Sequence, residues 1–178
     1  MSAVLATARL RLRPFTAADV PAVFAMSREA GLRRWLPDQV YRDEAEAADV
    51  LAALAAHTAQ PPAPHLRPFV LGVEHAATAA LIGHVGLSPA RGSVEIGYAI
   101  GDAWQGQGFA REAVDAMAAW ALDPLGLPEV LGIVAADNLA SIAVLAKGGF
   151  TPVVAPASAS ALASTHQRVY RRVAAAVS

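Results

Sequence analysis

The residues Gln105-Gly106-Gln107-Gly108-Phe109-Ala110 lie between a short alternating strand and an amphipathic helix. Glycines at a strand-to-helix turn let backbone N–H groups approach a ligand closely, and the first helical turn adds the positive end of its dipole. This arrangement suits a phosphate or pyrophosphate. A Walker A loop is excluded because no Gly-Lys-Ser/Thr follows Gly106 or Gly108. A dinucleotide fingerprint would need glycine at 111, which is Arg111, and the strands before the turn read as a meander rather than a βαβ unit.

Other candidates flank the turn. Strand alternation puts Glu95, Gly97 and Ala99 on one face and Val94, Ile96, Tyr98 and Ile100 on the other. Gly97 and Ala99 leave room for a ligand along the strand. Asn138 and Ser141 are one helical turn apart and face the same way, either to meet a ligand or simply to cap their helix. His84 lies on the adjacent strand and titrates near neutrality in water.

The 178 residues fit a single domain spanning 1–178. There is no cysteine, which excludes disulfides, cysteine-ligated zinc and a cysteine nucleophile. No metal site is expected. Net charge is −1, and no lysine/arginine block points to nucleic acid. Arg9, Arg11 and Arg13 alternate with leucines and read as one solvated strand face. Charges and prolines interrupt every apolar run, so no membrane span is expected. The N-terminus lacks a signal-peptide pattern, and the expected location is the cytoplasm.

The elements that must position these residues follow from periodicity and punctuation. A strand at Leu10–Leu12 ends at Pro14. Thr16 and Asp19 have capping-box spacing and open a helix to about Arg28. Residues 31–40 read as a loop, and a second helix covers about 43–58 with Val50, Leu51 and Leu54 as its apolar side. Strands at about 68–74, 80–87 and 93–100 form an antiparallel meander. A helix over about 108–122 presents Ala113, Val114, Met117 and Ala121 on one face. A buried strand at 129–136, a helix to Lys147, a strand at 150–154, an alanine/serine-rich loop at 155–164 and a strand at 167–173 complete the chain. The order β-α-α-β-β-β-α-β-α-β-β is an α+β fold: a mixed, mostly antiparallel central sheet flanked by helices.

The glycine turn fits the pattern Gln/Arg-x-x-Gly-x-Gly/Ala through Gln105, Gly108 and Ala110, and resembles the acyl-CoA loop of the GNAT N-acyltransferase superfamily. Glu95-Ile96-Gly97-Tyr98 resembles the family's fourth strand. Asn138-Leu139-Ala140-Ser141 and Lys147-Gly148-Gly149-Phe150 resemble its asparagine helix and the segment that closes it. Leu10-Arg11-Leu12-Arg13-Pro14-Phe15-Thr16 is similar to the branch containing the RimJ and RimL ribosomal-protein acetyltransferases. The match covers about residues 9–154. Leu145 stands where many members carry a tyrosine acting as general acid, and Gly148 replaces the usual leucine.

The resemblance implies acetyl transfer from acetyl-CoA to a primary amine, either a protein N-terminus or a small molecule. Backbone N–H groups across Gly106, Gln107, Gly108, Phe109, Ala110 and Arg111 would bind the pyrophosphate, with Arg111 reaching a phosphate or standing in solvent. Ala99 and Ile100 would pair with pantetheine through their backbones, and Asn138 would hold it. Ser141 would meet the sulfur as hydrogen-bond donor or acid. Glu95 would take the amine's proton through a water, or serve only as a charge partner or surface strand carboxylate; His84 is the other candidate, or a solvent-facing or core histidine. The loop around Arg33–Asp38 corresponds by position to an acceptor-facing loop in the family; Trp35, Tyr41 and Trp104 either line the acceptor cleft or pack in the core or an interface. A homodimer is among the family's forms. The alternatives are a non-catalytic acyl-CoA sensor and transfer of a longer acyl group such as succinyl.

Overall fold

The computed structural model describes residues 5–90, 92–153 and 166–174. Eight strands form one sheet in the order β1-β2-β3-β4-β5-β6-β8-β7. They are β1 (Leu5–Ala6), β2 (Leu10–Arg13), β3 (Phe69–His75), β4 (Leu81–Ala90), β5 (Ser93–Ile100), β6 (Glu129–Ala135), β7 (Thr151–Pro152) and β8 (Gln167–Val173). Neighbours are antiparallel except β5 and β6, which run parallel. The helices are α1 (Val20–Ser27), α2 (Ala30–Trp35), α3 (Glu44–Thr58), α4 (Phe109–Leu122) and α5 (Leu139–Lys147).

Each helix forms where its sequence allows. Asp43 caps α3 by accepting a hydrogen bond from the Glu46 N–H at 2.9 Å. Gly108 opens α4 with φ +84°, and Gly149 follows α5 with φ +75°; both values favour glycine. The small and apolar residues of α4 recur at helical spacing, so Ala113, Val114, Met117, Ala118 and Ala121 are all almost wholly buried. They pack with Leu10, Leu71, Ile82, Val85, Ile96 and Ile100 into the main core. A smaller core of Phe15, Val20, Ala47 and Leu51 joins α1 and α3 to the sheet.

Three expectations change. Residues 31–40 hold α2 and a single 3-10 turn (Pro37–Gln39) rather than an irregular loop. Six residues that bury only Leu32 are too short to show a helical period. The first helix opens as a 3-10 turn at Ala17–Asp19, with Asp19 accepting the Thr16 N–H at 2.7 Å.

The arginine face is not simply solvated. Arg13 bonds Asp19 at 2.8 Å and Glu74 at 2.6 Å, and Arg9 bonds Glu112 at 2.7 Å. Burial alone would raise the Asp19 pKa, but Arg13 and the Thr16 N–H outweigh it and hold the carboxyl below its usual range. Sequence alternation shows which way these arginines point; it does not show the carboxylates waiting there. The expected loop at 155–164 lies outside the described residues.

Candidate active site

The glycine turn is held from below. Arg9, just before β2, donates through Nη1 to the Gln107 carbonyl at 3.0 Å and through Nε to Glu112 Oε2 at 2.7 Å. Its guanidinium also sits 4.4 Å from the centroid of the Phe109 ring. Phe109 is 4% exposed and packs edge-on to His75 and Trp104, so its side chain anchors the turn and only its backbone faces outward. Gly106 has φ +75°, and a Cβ built there meets nothing within 4 Å. Gln105 folds back to donate to the Ile100 carbonyl at 2.9 Å and to Asp102 at 3.0 Å. Gln107 is exposed, and its side chain reaches the Ala103 carbonyl at 3.4 Å. Ala110 is half-buried, and Arg111 is paired with Asp115 at 3.5 Å on an exposed helix face.

Beyond the turn, the sheet opens. β5 is zipped to β4 from Gly83↔Ile100 to Ala90↔Ser93. To β6 it is registered only at Glu95↔Leu131. The Gly101 N–H bonds the Ile82 carbonyl at 2.9 Å. Antiparallel alternation then makes Ala99/His84 and Gly97/Gly86 the next hydrogen-bonded pairs. The backbone of Ala99 is therefore committed to β4, not to the opening. The backbones of Tyr98 and Ile100 are the ones that face it, and the Ile100 carbonyl is already taken by Gln105.

At the far side of the opening lies the start of α5. Asn138 is 9% exposed, and its Oδ1 accepts the Ser141 N–H at 3.1 Å, so it does cap the helix. Its side-chain NH2 and the Ser141 hydroxyl have no hydrogen-bond partner among the described residues. Tyr98 donates through its hydroxyl to the Ser141 carbonyl at 3.1 Å, tying β5 to α5. Burial pushes its phenol up to about 12, so it stays a neutral donor. Arg34 of α2 meets Asp137, next to Asn138, at 3.1 Å.

On the sheet face toward α1 and α3 is a cavity of about 280 Å³. His84, Ser88, Gly97 and Ala99 form part of its floor. A Cβ at Gly97 would meet nothing within 4 Å. Burial pushes the His84 imidazole down to about 4, and the ring has no hydrogen-bond partner among the described residues. Glu95 is half-buried at the next same-face position beyond Gly97, opposite Ser88. It does not line the cavity. Tyr41 and Asp38 do; Trp35 and Trp104 do not. Trp35 instead stacks under Arg34 at 4.3 Å, and Trp104 against His75 at 5.0 Å.

A strand edge left open inside a sheet, a glycine turn at a helix start beside it and a cavity across its face form a candidate site with room for an extended ligand and a second reactant. The model of the acetyltransferase (GNAT) domain matches residues 9–151. The chain belongs to the GNAT acetyltransferase family. An uncharacterized N-acetyltransferase of Bacillus subtilis (strain 168), YoaA, is 30% identical over 153 residues, which is 84% of this chain and 84% of the relative. A GNAT-family acetyltransferase from Bacillus anthracis has the same fold: TM-score 0.78, 18% identity, covering 96% of this chain and 98% of that one. So does RimL, a ribosomal-protein alpha-N-acetyltransferase solved in complex with coenzyme A. There the TM-score is 0.76 and the identity 19%, over 96% and 98% of the two chains.

Within this GNAT domain the position where the resemblance places a tyrosine in many members is a core position. Leu145 is fully buried, and its Cδ1 fills the space where a Cβ on Gly132 would sit, at 2.6 Å. The sequence pattern does not reveal Arg9 or Tyr98 as site residues. Arg9 looked like a surface residue, and its partners are about a hundred positions away. Tyr98 was legible as an inward-facing strand residue, but its bond to Ser141 was not. No group of three or more His, Asp or Glu side chains able to hold a metal occurs among the described residues. No helix among them is long and apolar enough to cross a membrane.

Proposed function

We propose that this GNAT domain transfers an acetyl group from acetyl-CoA directly to a primary amine. The observation that carries the reading is the one-sided pairing of β5. Its interior edge offers the backbones of Tyr98 and Ile100 beside the N–H-rich turn. An extended chain with a pyrophosphate at one end and amide groups along its length fits such an edge as an added strand would. N–H groups of Gly106 to Arg111 receive the pyrophosphate. Tyr98 and Ile100 take the backbone role expected of Ala99 and Ile100, and the free NH2 of Asn138 adds a donor. Bound acetyl-CoA supplies the activated acyl group.

Glu95 takes the proton of the incoming amine through a water, as the carboxylate on the face of Gly97 and Ala99. The C–N bond forms and the C–S bond breaks. The Ser141 hydroxyl hydrogen-bonds the departing thiolate, which takes up the second proton that the nitrogen sheds as the amide forms. His84 supports a second assignment for the base, because it lines the cavity as an unpartnered neutral imidazole. CoA-SH release from acetyl-CoA over a panel of amines and N-terminal peptides tests the reading, with Glu95→Gln and His84→Gln in parallel. Loss with Glu95→Gln alone supports the carboxylate. Loss with His84→Gln alone moves the base to the imidazole, and the pH profile then falls near 4. Tight acetyl-CoA binding with no turnover would leave a sensor, and turnover with succinyl-CoA only would change the acyl group.

A further inference from the structure

The cavity across β5 has a chemistry that narrows the acceptor. Its walls are mostly apolar: Phe15, Val23 and Met26 from the α1 side, Leu51 and Leu54 from α3, and Val70 from β3. The polar groups are few. Asp38, Gln39 and Tyr41 come from the segment between α2 and α3, and His84 and Ser88 from β4. Among the described residues, Asp38 is the sole carboxylate in this lining, and no lysine or arginine contributes to it. The volume, about 280 Å³, lies just below the roughly 300–1,000 Å³ common for small-molecule pockets.

This composition excludes two kinds of acceptor. A polyamine or aminoglycoside would bring several ammonium groups to one carboxylate and would strip their hydration against aliphatic walls. An acceptor carrying a carboxylate near its amine would find no cation to pair with. A single amine attached to one apolar group satisfies both halves. The apolar group fills the space between α1, α3 and the sheet, where each buried methylene is worth roughly fourfold in affinity. The amine lies toward the polar groups, with Asp38 at the exposed rim attracting its charged form and the His84 ring, which has no hydrogen-bond partner among the described residues, on the floor as an acceptor for an N–H.

We propose that the acceptor is a primary amine bearing one apolar group about the size of an aliphatic or aromatic amino-acid side chain. It is presented either as a small molecule or as the first residue of a peptide. The inference rests on the acetyl-transfer reading above and adds the substrate class. In its test, CoA-SH release is measured with leucinamide, phenylalaninamide, serinamide, aspartic acid, spermidine and glucosamine, and with short peptides beginning with leucine or serine.

The leucine and phenylalanine amides, or the leucine peptide, are expected to exceed their polar and polycationic counterparts at least tenfold in kcat/KM. Preference for the peptide identifies a polypeptide N-terminus as the source, and preference for the amides a small molecule. Leu54→Asp, at a half-buried site on α3, is expected to erase at least tenfold of the apolar preference while coenzyme A binding by calorimetry is unchanged. Asp38→Asn, at an exposed site, is expected to raise KM for the amine severalfold. Equal or better use of serinamide, aspartic acid, spermidine or glucosamine would overturn this assignment and leave acetyl transfer standing. No release with any amine, despite coenzyme A binding, would overturn the transfer reading and this inference with it.

Discussion

The two edges of β5 have the same sequence to work with and opposite fates. Toward β4 the strand is paired along its whole length, from Gly83↔Ile100 to Ala90↔Ser93. Toward β6 it is registered at Glu95↔Leu131 alone. Backbone N–H and C=O groups inside a sheet are almost always paired, so an interior edge left open beyond Glu95 is costly unless something else binds there. The closed edge holds β5 in the sheet, and the open edge leaves backbone groups for the proposed ligand. The Tyr98 hydroxyl ties β5 to the start of α5 at Ser141, and Arg34 of α2 pairs with Asp137 just before that helix.

The largest effect is expected where the two strands meet. Glu95→Gln should lower kcat about 100-fold or more, with coenzyme A affinity unchanged, in steady-state assays and calorimetry. A fall in stability with no specific fall in kcat would make Glu95 structural.

Gly86 and Gly97, paired across the closed edge of β5, separate a packed position of the cavity floor from an open one. A Cβ on Gly86 would come within 2.8 Å of the Val70 Cα and 2.9 Å of the Phe69 carbonyl, so Gly86→Val should cost about 3 kcal/mol in denaturant unfolding. Gly97→Val meets nothing and should change stability by no more than about 0.5 kcal/mol. It should nonetheless lower kcat/KM for the amine at least tenfold, a loss of about 1.4 kcal/mol in transition-state stabilisation by the RT conversion. If Gly97→Val kept full activity, the cavity would not be the acceptor site.

A smaller effect separates the turn from its support. Arg9→Ala removes the donor that holds the Gln107 carbonyl and should raise KM for acetyl-CoA severalfold with kcat nearly unchanged. Arg9→Lys should restore only part of this, since an ammonium cannot reproduce the fork. Smallest of all, Tyr98→Phe deletes one hydrogen bond across the opening and should cost about 1 kcal/mol in thermal or denaturant unfolding. A change near zero would mean the wall of α5 is held by packing alone.

Much of this was legible in the sequence, for a physical reason. The glycine turn, the meander and the buried face of α4 are local patterns, written in residues a few positions apart. Gly97 and Ala99 were readable as a bare strand face, and Gly97 does face open space. The opening itself was not readable, because a strand's own pattern does not record which neighbour it fails to pair with. The same limit hid Arg9 under the turn. The resemblance assigns pantetheine to the backbones of Ala99 and Ile100, whereas hydrogen-bond alternation turns that of Ala99 toward β4. The six-residue α2 escaped because it buries too little to carry a period.

Residue-resolved amide hydrogen exchange, with and without saturating coenzyme A, tests the central claim most directly. In the free protein the Tyr98 and Ile100 amides should exchange readily, while those of Gly97 and Ala99 are protected by β4. On adding coenzyme A, Tyr98, Ile100 and the amides from Gly106 to Arg111 should slow together, with Gly97 and Ala99 unchanged. Bound coenzyme A that leaves Tyr98 and Ile100 as fast as before would contradict the account, because the open edge of β5 would then not be the donor site.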